Sequence, residues 1–204
     1  MKASKLLAAV AVLSLAASAA RAQIPGLPFY PTPTGMGVLV SADYAHPGSS
    51  QAEYALRGGI GFGPFGVTAV VGSYKLTGYS GQTLYGATAA MKLFGGGLLP
   101  VSISAQGGVG QVKNLILPGT TTTYAPVGVA VRANVPLFPL KPFAVGYYTL
   151  GSSEVTKEFR ATIGADFNLL FGLGVHAAYD FGTGSNSGNG WGIGAHFNFR
   201  MPVM

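Results

Sequence analysis

The sequence predicts an all-β fold, a transmembrane antiparallel up-and-down β-barrel of ten strands preceded by a cleaved signal peptide, and three observations predict it. Charge is scarce: Asp, Glu, Lys and Arg make up 9% of the 204 residues, against roughly 25–35% on the surface of a water-soluble domain, so the outside of this fold does not face water. No stretch after residue 22 approaches the ~20 consecutive apolar residues of a spanning helix. From residue 35 onward apolar residues recur with a period of two, and the 32 glycines are spread along the chain. Apolar composition without apolar runs is what alternating strands produce, and a closed barrel is the only other way to cross a bilayer with every backbone group hydrogen-bonded. A secreted soluble barrel or sandwich would turn its polar face outward and need more surface charge.

Residues 1–22 read as a signal peptide: Lys2 and Lys5 form the positive start, Leu6 to Leu15 the apolar core, and Ala20-Arg21-Ala22 a small-x-small cleavage site. Residues 23–34 are rich in proline, which prevents both a helix and a central strand, and read as a periplasmic linker into the barrel domain, 35–204. Ten segments of spanning length follow, at 35–45, 52–62, 66–76, 83–94, 101–112, 123–135, 142–151, 158–167, 171–181 and 190–200. Eight strands would result if the first two segments, or the region of Pro126, did not span. The connections alternate in character. Those at 46–51, 77–81, 117–122, 152–157 and 182–189 are polar and flexible, whereas 63–66, 95–100, 136–140 and 168–170 are tight or apolar. Leu98, Leu99, Leu137, Phe138, Leu169 and Leu170 would sit near one interface, dipping into the headgroups or covering a partner.

The last segment carries the most specific pattern. Trp191, Ile193, Ala195, Phe197 and Phe199 share one face, and Gly192, Gly194, His196, Asn198 and Arg200 the other. Gly194-x-x-Phe197-x-Phe199 resembles the C-terminal signal by which the assembly machinery of bacterial outer-membrane barrels recognises its substrates, although residues 200–204 continue past the last aromatic. Over most of its mature length the chain also resembles, in pattern, the small outer-membrane β-barrel superfamily of the OmpA-barrel, OmpX and OmpW kind. That resemblance implies the bacterial outer membrane as location, and lipid, lipopolysaccharide and the barrel-assembly machinery as partners. Long loops facing out and short turns facing the periplasm would put both termini on the periplasmic side.

Charged residues in the strands fall mostly opposite the apolar face, which assigns Asp43, Glu53, Arg57, Lys75, Lys92, Arg132, Arg160, Asp166, His176, Asp180, His196 and Arg200 to the lumen. Lys113 and Lys141 are out of phase but stand at strand ends, where a lipid-facing charge costs ~0–1 kcal/mol against ~2–4 at the midplane. With the last loop centred on Asn186, His176 faces His196; with the turn before it centred on Leu170, Arg160 faces Asp180. Charges that face one another are the ordinary consequence of a polar interior.

Catalytic chemistry finds little support. His176, Asp180 and His196 could serve with Ser185 or Ser187 near the mouth, as in the lipid A deacylases and proteases among such barrels, but no Gly-x-Ser-x-Gly elbow is present. The two histidines would need a third ligand to hold a metal, and no cysteine or His-rich cluster supplies one, so neither metal nor cofactor is expected. His46, beside Pro47, reads as solvated. Gly59-Ile60-Gly61-Phe62-Gly63 lacks nucleotide-loop spacing, and its glycines read as bends in a small barrel. Tyr44, Tyr54, Phe62, Tyr74, Tyr85, Phe94, Phe143, Tyr147, Phe159, Tyr179, Phe181, Trp191 and Phe199 read as interfacial girdles.

Removal of Lys2, Lys5 and Arg21 with the signal peptide leaves 9 basic against 6 acidic residues, without the basic stripe that nucleic acid would need. Two functions fit this composition. One is narrow, porin-like passage of small solutes with a weak anion preference; the other is a structural or surface-contact barrel with a plugged lumen. About eight strands are just filled by their own side chains, so ten leave the choice to the interior residues.

Overall fold

In a computed structural model the chain forms one closed antiparallel barrel of ten strands. The residues described are 27–47, 52–75, 81–95, 99–113, 121–134, 138–151, 158–182 and 189–200, so the expected signal peptide, 1–22, lies outside them. The strands are β1 (Gly37–Pro47), β2 (Ala52–Phe62), β3 (Phe65–Lys75), β4 (Gln82–Gly95), β5 (Val101–Lys113), β6 (Thr121–Ala133), β7 (Leu140–Gly151), β8 (Glu158–Asn168), β9 (Leu173–Gly182) and β10 (Gly190–Arg200). Each pairs with its sequence neighbours, and β1 closes on β10 from Gly37↔Arg200 to Pro47↔Gly190. Strand count is therefore ten, with the first two segments and the Pro126 region all in the wall. Pro126 has no N–H to donate, and the β5–β6 ladder is interrupted beside it, between Gly107↔Val127 and Gly110↔Tyr124.

Alternation sets the two faces. Val40, Leu56, Ile60, Val71, Val127, Val129, Ile163, Val175, Ile193 and Phe197 are exposed on the outside, an apolar belt that only lipid would solvate well. Tyr44 packs beside Tyr54 and Trp191 at centroid distances of 5.2 and 5.6 Å, forming an aromatic group at the loop end. The short connections are shaped by glycine: Gly63, at φ 59, turns the two-residue hairpin between β2 and β3. Between β8 and β9 a 3₁₀ turn at Leu170–Gly172 holds Phe171 at φ 58 and leaves it 90% exposed. Leu99, Phe138, Leu169 and Leu170 are also exposed at this end, while Leu98 and Leu137 lie outside the described residues.

Three sequence expectations are corrected by strand phase and burial. Lys75 lies on the outward, exposed phase of β3 with Val67 and Val71, because Tyr74 takes the inward position at this strand end. In β7 the buried phase is Phe143, Val145, Tyr147 and Thr149, so two aromatics assigned to a girdle point into the barrel with Lys141. Both faces of β7 are apolar, so alternation alone does not tell which is inside. Most consequentially, residues 27–34 are not a periplasmic linker. They run inside the barrel, where Leu27, Phe29, Tyr30 and Thr32 are buried.

Candidate functional site

The lumen is filled by its own N-terminal segment, and the composition of that segment explains how a lone chain can lie there. A buried strand outside the sheet must find a partner for every N–H. Pro28, Pro31 and Pro33 have none to satisfy. The Phe29 N–H donates to Thr162 Oγ1 at 3.1 Å and the Thr32 N–H to Gln106 Oε1 at 3.1 Å, while Gln106 Nε2 donates to the Tyr30 carbonyl at 3.4 Å. Eight extended residues reach up to roughly 29 Å, comparable with the ~25 Å apolar band of such barrels.

Packing traces its course. Pro33 sits near the turn end against Gly59, Gly61 and Gly66; a Cβ on Gly66 would overlap the Pro33 carbonyl. Nearer the loop end a Cβ on Gly192 would lie 2.9 Å from Tyr30 Oη, so these glycines are clearances for the plug rather than bends. Phe29 meets Tyr147 edge-on at 4.9 Å, and Tyr30 meets Phe143 at 6.1 Å and His176 at 4.7 Å. The Arg57 guanidinium lies over the Tyr30 ring, 4.2 Å from its centroid. At the loop end Leu27 joins Ala45, Ala55, Leu84 and Val112. Gly35, at φ 98, stands between the plug and β1, where its N–H donates to the Gly63 carbonyl.

Two polar networks grip the segment from the wall. In the first, Asp180 accepts from Tyr147 Oη at 2.7 Å, Thr162 Oγ1 at 2.5 Å, and Arg160 Nε and Nη2 at 2.8 and 2.6 Å. Arg160 also bonds Glu158 at 2.7 Å, and Thr162 links this network to the Phe29 N–H. In the second, Asp43 accepts from Ser41 and from Arg57, each at 3.1 Å, and pairs with His176 Nε2 at 2.5 Å. His176 Nδ1 meets His196 Nδ1 at 3.1 Å, and Arg132 pairs with Asp166 at 2.9 Å.

Asp43, Glu53, Arg57, Arg132, Arg160, Asp166, His176, Asp180 and His196 thus occupy the inward phases of their strands, and Lys92 takes the inward phase of β4. Lys75 does not. Arg200 lies in β10, but its side chain, like Ser185 and Ser187, is outside the described residues. Glu53 is fully buried, and neither carboxylate oxygen has a hydrogen-bond partner among the described residues. Gly194 faces inward, where a Cβ would strike Asp43 and His176, whereas Phe197 and Phe199 are exposed on the outer face. His46 is not simply solvated: its ring stacks on Trp191, 6.0 Å between centroids and 5° between planes.

The unforeseen participants are the plug itself and the groups that hold it, Thr162, Gln106, Phe143, Tyr147 and Glu158. A signal for them was present in the inward glycines, which clear a path through the lumen only if something occupies it.

No protein-family model matches the chain, and no curated protein does. Among solved structures it is similar to the KdgM porin, at 11% identity over 79% of this chain and 99% of that one with a TM-score of 0.51. It is equally similar to the KdgM porin in complex with disordered oligogalacturonate, at 11% identity, the same coverages and a TM-score of 0.52. The N-terminal β-barrel domain of Pseudomonas aeruginosa OprF aligns over 82% of this chain and 100% of that one, at 14% identity and a TM-score of 0.42. The likeness is one of fold: closure, strand pairing and the outward apolar belt together give this chain the fold of an outer-membrane β-barrel.

Proposed function

We propose that this barrel gives small solutes a narrow passage through the outer membrane, and that residues 27–34 are the gate that holds it closed. The observation that carries the reading is the occupancy of the lumen by a segment tied to the wall through side chains and not through a strand ladder. Cavities of about 30 and 40 Å³ flank the segment, room for a few waters. In the KdgM porin the same type of barrel serves as a porin, which supports the assignment of passage to the lumen here. A weak anion preference is supported by the cavity at the turn end, where Arg57, Arg132 and Lys141 stand against Asp166.

The second reading, a structural or surface-contact barrel whose plug never leaves, is favoured by the paired lumen charges Arg57–Asp43, Arg132–Asp166 and Arg160–Asp180. Single-channel recording in planar bilayers decides between them, comparing residues 23–204 with a chain lacking 23–33. The gated reading expects rare openings in the first and steady conductance in the second, with an anion preference that weakens in Arg132→Ala. A folded barrel that stays silent without its plug would leave the structural reading standing.

A further inference from the structure

The inward faces of β8, β9 and β10 bring Asp166, His176 and His196 together, one ligand-capable atom from each lying within 4.8 Å of the other two. Sequence alone offered two histidines and no third ligand. Sheet register supplies it, since Asp166 lies directly across from His176 on the neighbouring strand.

The imidazoles are already arranged for coordination. His176 Nε2 lies 2.5 Å from Asp43 Oδ1 and 3.3 Å from Arg57 Nη2; with the Nε2 proton donated to the carboxylate, the Nδ1 lone pair is the one left for a metal. The two Nδ1 atoms of His176 and His196 stand 3.1 Å apart. Two imidazole nitrogens bound to one tetrahedral ion at bond lengths of about 2.0–2.1 Å stand about 3.3 Å apart, so the separation of this pair already suits a shared ion. Arg132 occupies Asp166 Oδ2 at 2.9 Å, which leaves Oδ1 for a ligand. Asp166, His176 and His196 also line the cavity at the turn end of the lumen, together with Asn168 and Asn198, which gives a position for a bound water.

We propose that Asp166, His176 and His196 form a binding site for a divalent first-row transition ion of the zinc class, with Asp43 as the outer carboxylate that orients His176. Two imidazoles and one carboxylate with a fourth position open to the cavity are a donor set suited to zinc. Arg57, Arg132 and Lys141 border the same cavity and oppose a cation, while Asp43 and Asp166 offset two of them. The site is therefore weaker than a closed thiolate site. An N–H···N bond between the histidines would satisfy the same 3.1 Å; what distinguishes the metal site is Asp166 and the outer carboxylate.

The test uses residues 23–204 refolded in detergent without a histidine tag, with folding checked by heat-modifiable migration on a gel. Zinc is titrated by calorimetry, and cobalt by its visible absorption. One ion per barrel and the intense visible bands of tetrahedral cobalt are expected. His196→Ala and Asp166→Asn should each weaken zinc binding at least tenfold and abolish the cobalt bands. Asp43→Asn should weaken it about 10–100-fold with all three ligands in place, and His46→Ala should leave it unchanged. A folded wild-type barrel that takes up neither ion overturns the proposal, as does binding that survives His196→Ala at full strength or is lost in His46→Ala. Should a ligand variant fail to fold, the wild-type cobalt spectrum decides, since it either carries tetrahedral bands or does not. Binding is read without any conductance measurement, so this inference stands or falls apart from the gating reading.

Discussion

Tyr30→Ala is the most informative single substitution, because the phenol is packed only while the plug is seated. In that state the ring touches Phe143 and His176 edge-on and lies beneath Arg57, with its residue 8% exposed. Truncating a packed aromatic costs about 3–5 kcal/mol, and a partly desolvated cation–π contact adds about 0.5–2. Once the segment leaves the lumen, none of these contacts exists, so the whole loss falls on the closed state. Taking about 3 kcal/mol as the lower bound, the ratio of closed to open barrels should fall roughly 150-fold. The assay is the open fraction in single-channel records of wild type and variant at the same voltage. Tyr30→Phe is the control: the hydroxyl has no hydrogen-bond partner among the described residues, so its removal should change the open fraction by no more than a few-fold. If Tyr30→Ala inserts, folds and stays closed as often as wild type, the segment is not a gate anchored at this ring.

Asp180→Ala should lower folding stability by about 3–5 kcal/mol, since it leaves Arg160 inside the barrel without its principal partner and also removes an acceptor from Tyr147 and Thr162. The urea midpoint of the refolded barrel measures it, and a loss under about 1 kcal/mol would show that this network does not hold the wall. Glu53→Gln should raise that midpoint, because a fully buried carboxylate with no partner among the described residues loses hydration without recompense; a lower midpoint would mean that the charge is paired. Leu56→Arg, on the outer face near the middle of β2, should cost about 2–4 kcal/mol in lipid vesicles, while Lys75→Leu, at a strand end, should change stability by only ~0–1. Equal effects at the two positions would misplace the bilayer on the barrel.

The wall was legible because charge and apolarity alternate strictly where one face meets lipid. All ten strand ranges lie within two residues of the observed ones, and β8 and β9 show the expected phases throughout. Register was harder. Arg160 pairs with Gly182, and Thr162 with Asp180, two residues from the expected alignment, and His176 pairs with Gly194 instead of His196. Both expected contacts nevertheless form, because long side chains reach diagonal neighbours on the same face. The phase of β7 could not be read, since its inward Phe143 and Tyr147 are as apolar as its outward Tyr148 and Leu150. Inward aromatics make sense only once Phe29 and Tyr30 occupy the lumen.

The plug was hidden by a correct rule applied to the wrong alternative. Prolines at 28, 31 and 33 do exclude this stretch from a helix or a central strand. That exclusion leaves two destinations, a solvated linker or a buried segment outside the sheet, and the second is the more demanding. A buried lone chain must satisfy its N–H groups without a ladder, and proline is the residue that removes the demand. The same prolines that read as a linker are thus what makes burial affordable, and the neighbouring residues separate the two destinations. A linker has no need for Phe29 and Tyr30 in tandem, nor would an empty lumen need glycine at 59, 61, 66 and 192, which face Pro28, Tyr30 and Pro33 across the interior. Inward glycines on separate strands, taken with a proline–aromatic stretch ahead of the first strand, are a joint signal for a self-plugged barrel. Neither half carries that meaning alone, since glycine also bends strands and proline also loosens linkers.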